Sequence, residues 1–148
     1  MRVALSAMLS GLAVAGILAA APLPALAQSK PAKPVLHRVV IQVSDADPGK
    51  WKLALSNARN VQQDLGAKNV QIEIVAYGPG IDMLKSESEA EPGVVQAMTD
   101  GVKVVACENT MRNRKLKRED MQGGIGYVGA GVVEIMEKQR AGWSYIRP

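Results

Sequence analysis

"VKVVACENTMRNRKLKRED", Val102 to Asp120, turns from apolar to strongly basic at the chain's single cysteine, Cys107. The run up to Cys107 is nearly continuous in apolar residues, too short for an ordinary helix, and rich in β-branched valine. It predicts a central strand covered on both sides. The polar residues beyond it predict a short helix or an ordered loop, which Asn109 or Thr110 can cap. A strand giving way to a helical turn is half of a repeating unit, and the flanking sequence repeats it.

Upstream, "HRVVIQVS" (His37 to Ser44) is a β-branched run and the first predicted strand. Asp47 and Pro48 then supply an N-cap and a proline at the first helical position, where its missing N–H costs nothing. Trp51, Ala54, Leu55, Ala58, Val61 and Leu65 recur at helical steps, and Gly66 is placed to end the helix. "VQIEIVAYGPG" alternates Val70, Ile72 and Ile74 with Gln71 and Glu73, which predicts a strand with one wetter face and a Gly-Pro-Gly turn after it. Glu87, Glu89 and Glu91 mark a solvated loop, and Val94, Val95 and Met98 a short helix after Pro92.

Downstream, "IGYVGAGVVEIMEKQRAGW" reads as a weak strand running into a helix that carries Val132, Val133, Ile135 and Met136. Gly142 stops it, and "WSYIR" makes a last short strand. Strand and helix thus alternate throughout, predicting a single α/β domain: a three-layer sandwich around a mainly parallel sheet of about five strands. Right-handed crossovers would put every strand–helix loop at one edge of that sheet, where ligands gather.

The amino terminus reads differently. Met1-Arg2, the apolar "LSGLAVAGILAAA" (Leu9 to Ala21) and the small residues Ala25-Leu26-Ala27 predict a cleaved signal peptide over residues 1–27. Export to a bacterial periplasm follows, with no membrane attachment after cleavage. Residues 28–36, containing "QSKPAKP", predict a flexible tether, leaving 37–148 as the domain. The whole chain carries 18 Lys and Arg against 14 Asp and Glu, a mild excess that does not argue for nucleic acid. One cysteine forms no internal disulfide, and one histidine, His37, far from Cys107, gives no metal-ligand spacing and no Cys-His pair. No metal or other cofactor is expected. Trp51, Trp143 and Tyr145 are most simply core or interface aromatics.

Two readings fit Cys107. It is a buried apolar filler, or it is a nucleophile whose thiolate is favoured by the N–H groups of the following turn and by Arg112, Arg114, Lys115, Lys117 and Arg118. The basic run is likewise either a solvated helix face or an anion-attracting rim beside the thiol. Gly124 to Gly129 matches G-x-G-x-x-G, but it overlaps a strand and has no acidic residue about twenty positions later, so it is not a dinucleotide site. Gly129 and Gly131 instead suit close packing at a strand-to-helix turn.

Taken together, "VVACENTM", "AYGPG", "NARNVQQDLG" and the ending "YVGAGVVEIMEKQRAGWSYIRP" resemble the DsrE/DsrF-like family, in its signal-peptide-bearing subgroup. The resemblance runs from about His37 to Pro148. It implies a small α/β sandwich that assembles into homo- or hetero-oligomers and a persulfide carried on one cysteine, with Cys107 in the matching position. The expected site is Cys107 with Asn109, Thr110, Met111 and Arg112 as binding residues, and Tyr77, Gly78 and Pro79 forming a pocket with the Cys107 loop in the ligand-binding alternative. The expected function is a sulfur carrier or redox-active thiol protein, more a carrier than a turnover enzyme, with a sulfur donor or acceptor protein as partner. The alternative is an oligomeric module binding a small anion or other ligand without sulfur transfer.

Overall fold

The computed structural model describes residues 36–148. The expected signal peptide and all but the end of the expected tether therefore lie outside the described residues. β1 (His37–Val43) leads to α1 (Pro48–Leu65), then β2 (Val70–Ala76), α2 (Glu91–Thr99) and β3 (Lys103–Cys107). α3 (Glu108–Asn113), β4 (Gly126–Val128), α4 (Gly131–Arg140) and β5 (Ser144–Ile146) follow. The five strands form one sheet in the order β4-β3-β2-β1-β5, with every neighbouring pair parallel. The chain is a single α/β domain of the class its strand–helix alternation predicts.

That order dictates where the helices go. From β1 to β4 the chain steps across the sheet in one direction, so right-handed crossovers place α1, α2 and α3 on one face. The step from β4 to β5 runs the other way and carries α4 to the opposite face. The cores agree. Ile41, Ile74, Val104 and Ala106 meet Trp51, Leu55, Val94 and Met111 in a large cluster, whereas Val40, Val75 and Val105 meet Ile135 of α4 in a small one.

Local chemistry sets the element ends. The Asp47 carboxylate accepts the Gly49 amide at 2.8 Å as the N-cap of α1, and Gly66 takes φ 83° where the helix stops. β3 is flanked by β2 and β4 and buried apart from Lys103, although β2 is the middle strand. Two details depart from the sequence reading. Gly78-Pro79-Gly80 opens a 3-10 segment, Gly78–Leu84, whose Ile81, Met83 and Leu84 are fully buried. Glu73, assigned to a wetter face by alternation, is completely buried, because α4 lies over that side of β2 and brings Lys138 to it at 2.8 Å.

Candidate functional site

Cys107 ends β3 and is itself the N-cap of α3. The sequence reading gave that role to Asn109 or Thr110; the structure gives it to sulfur, since the residue that leaves the strand is the one whose side chain turns back over the new helix. Cys107 Sγ accepts the Thr110 amide at 3.5 Å. Alternation along β3 points Cys107 to the same face as Val105, toward α4. There the Gly131 amide, at the first position of α4, donates to Sγ at 3.2 Å.

Two helix starts therefore meet on one sulfur. The topology explains why: β3 and β4 are neighbours, yet the helix after one lies on the opposite face from the helix after the other. The loops that part there lie beyond the carboxyl ends of those strands. The Asn109 amide donates to Gly129 O at 3.1 Å and ties the two loops together.

The Thr110 side chain belongs to the same cluster: its Oγ1 accepts the Gly78 amide at 2.9 Å. Burial alone would push the Cys107 thiol up. The Thr110 hydroxyl and the amides of Gly131, Thr110 and Asn109 outweigh it and hold the thiol below its ordinary value. Cations do not figure among these causes. Arg114 is paired with Asp82 at 3.1 Å, Arg118 with Glu108 at 2.9 Å, and Arg112 with the Asn109 side chain. The causes that lower the thiol most are directed hydrogen bonds.

The other expected site residues divide into two groups. Gly78, Pro79 and Thr110 line an open depression of about 460 Å³, together with Ala46, Asp82, Asn113 and Arg114. Cys107 is only 4 % exposed and does not line it; Thr110 touches both. Met111 and Tyr77 do not line it either. Met111 is buried in the large core, because the inward side of α3 faces the sheet. Tyr77 packs in the small core with Val128 and Trp143, and burial raises its phenol above the usual value. Of the residues missed, Ala46 follows β1 at the sheet's carboxyl edge, which was signal enough to find it. Gly131 was read as a packing glycine, and nothing in its local sequence marks it as a donor to sulfur. Among the described residues no three His, Cys, Asp or Glu side chains come together as a metal would require.

Solved structures share this architecture. A protein of unknown function from Methanobacterium thermoautotrophicum is 38 % identical, with a TM-score of 0.72 over 76 % of this chain and 99 % of its own. A conserved protein of unknown function from Bacteroides thetaiotaomicron is 13 % identical, with a TM-score of 0.62 over 75 % of this chain and 94 % of its own. The ychN protein from E. coli is also 13 % identical, with a TM-score of 0.58 over 76 % and 99 %. The last two share the fold alone. No curated protein matches the sequence. The DsrE/DsrF-like family model matches residues 37–148, the whole domain from β1 to the last residue, and the chain belongs to that family.

Proposed function

We propose that this protein carries sulfur as a persulfide on Cys107. The observation that supports this most is the convergence of the Gly131 and Thr110 amides on Sγ, with the Thr110 hydroxyl behind them. A thiolate is the attacking species in sulfur transfer, and amide donors favour it without a nearby base. In the loading step the Cys107 thiolate attacks the outer sulfur of a low-molecular-weight persulfide or polysulfide. A new S–S bond forms on Cys107, the donor's S–S bond breaks, and its electron pair leaves on the donor thiolate. An acceptor thiolate then removes the outer sulfur by the same exchange, regenerating the Cys107 thiolate. The same donors that hold the thiolate suit the anionic persulfide, and the low exposure of Cys107 guards it from water-borne reductants.

The carrier works as an exported, oligomeric protein in this reading. Export rests on the apolar run ending at Ala25-Leu26-Ala27. Assembly rests on α4, where Val132, Val133 and Met136 are each at least half exposed on the outer side of the one helix covering that face. A second copy of the chain would bury them.

Polysulfide treatment followed by intact mass spectrometry tests the carrier role. One added sulfur on the parent protein and none on Cys107→Ser is the expected result. An unchanged mass in both would overturn it. The depression beside Gly78, Pro79 and Thr110 favours one other reading, a module that binds a small ligand without transferring sulfur. In that case Cys107→Ser would keep its ligand.

A further inference from the structure

We propose that a second depression, on the α4 side of the sheet beside Glu73, binds a small zwitterion of the α-amino-acid class. This goes beyond the sulfur-carrier reading and does not depend on it. Glu73 pairs in register with Lys103 at the start of β3, and Cys107 lies four residues further along that strand, roughly 13 Å away.

The depression has a volume of about 330 Å³, enough for one amino acid. Its walls include Glu73, Lys103, Lys138, Trp143, Val70 and Ile72. Glu73 is fully buried. Its Oε2 lies 2.8 Å from Lys138 Nζ and 3.0 Å from Lys103 Nζ, yet neither carboxylate oxygen, Oε1 least of all, has a well-directed hydrogen bond among the described residues. A buried carboxylate oxygen without a donor is rare because the missing bond leaves its desolvation uncompensated. The geometry calls for a donor arriving from the depression.

Charge selects the donor. Glu73 and Glu134 are matched by Lys103 and Lys138, with Lys138 also 3.4 Å from Glu134. A ligand of net charge would upset that balance, whereas one bearing an ammonium and a carboxylate preserves it. The ligand ammonium donates to Glu73 Oε1. Its carboxylate meets Lys103, whose side chain is 57 % exposed and free to swing outward with N–H groups to spare. Trp143 and the aliphatic wall suit an apolar side chain. Lys138, held between Glu73 and the Trp143 ring at 4.3 Å, stays in place.

Isothermal titration of the purified protein with L-leucine, N-acetyl-leucine and leucinamide tests this. Leucine is expected to bind, and each derivative, lacking one charge, to bind at least about tenfold more weakly. Glu73→Gln should weaken leucine by a similar factor; should that variant fail to fold, surface Lys103→Ala carries the test with the same expected loss. Cys107→Ser should bind leucine as the parent does. The proposal is overturned by no saturable binding up to about 20 mM leucine, by equal binding of N-acetyl-leucine, by no loss in Lys103→Ala, or by loss in Cys107→Ser, which would place the ligand at the thiol.

Discussion

A Cβ on Gly131 would sit 2.9 Å from Cβ of Tyr77 and 3.2 Å from its ring, so the first turn of α4 reaches Cys107 only because residue 131 has no side chain. Gly131→Ala should force α4 away from Tyr77 and lengthen the amide-to-sulfur bond. The expected cost is about 1–3 kcal/mol of stability, typical of overpacking. The thiol should rise toward its ordinary value. Denaturant titration and the pH dependence of alkylation rate check the two effects separately.

Thr110→Val removes the hydroxyl donor to sulfur and leaves the Gly78 amide without its acceptor. One hydrogen bond to a charged group is worth up to about two kcal/mol, so the alkylation midpoint should rise by about one pH unit. Thr110→Ser, which keeps the hydroxyl, should restore it. An equal shift in both variants would mean that packing, and not the donor, sets the thiol.

Stability should depend on pH through Cys107. Its folded value is depressed, so the folded protein favours the thiolate more than the unfolded chain does. That contribution is fully present only above the unfolded thiol value of about 8.5 and is lost as pH falls through the lowered folded value. The parent should therefore gain stability over Cys107→Ser as pH rises across that window. Chemical denaturation at a series of pH values from about 6 to about 9.5, which brackets the unfolded thiol value, measures the difference.

Glu73 behaves as an acid-sensitive element. Burial would raise its carboxyl, but Lys138 and Lys103 outweigh burial and hold it below its usual value. Its stabilising contribution is present above the ordinary carboxylate range and disappears as pH falls through the folded value. The two lysines should differ in weight. Lys138, 20 % exposed, should cost about 3 kcal/mol as Lys138→Met, and Lys103, 57 % exposed, about 1 kcal/mol or less as Lys103→Met. Thermal melts of both variants at neutral pH check the order.

If a second copy covers α4, Met136→Glu should lower the molecular mass seen by light scattering while leaving the melting temperature of the fold nearly unchanged. Met136 is 57 % exposed, so nothing inside the monomer depends on it.

The parts of this protein legible in its sequence are those with a short-range period. α1 showed its stripe because Trp51, Ala54, Leu55 and Ala58 all face the same sheet, and β1 and β3 showed as β-branched runs. Cys107 and Thr110 were legible because a strand end followed by cap-type residues has a local signature. Glu73 was not, since alternation says which side of a strand a residue takes but not what later covers that side. Its cover, α4, comes from the far end of the chain. Tyr77 and Met111 do not line the depression for a related reason: spacing put them near the thiol, and tertiary packing turned them into the two cores. Gly131 became a donor only through the reversal of winding between β3 and β4.

That same strand order leaves three-residue strands at both margins of the sheet, β4 on one side and β5 on the other. Short margins offer few free amides and carbonyls to an incoming strand, so the folded domain is a poor template for edge-to-edge growth. Crowding at high protein concentration should drive these molecules into discrete, helix-mediated clusters and not into fibres.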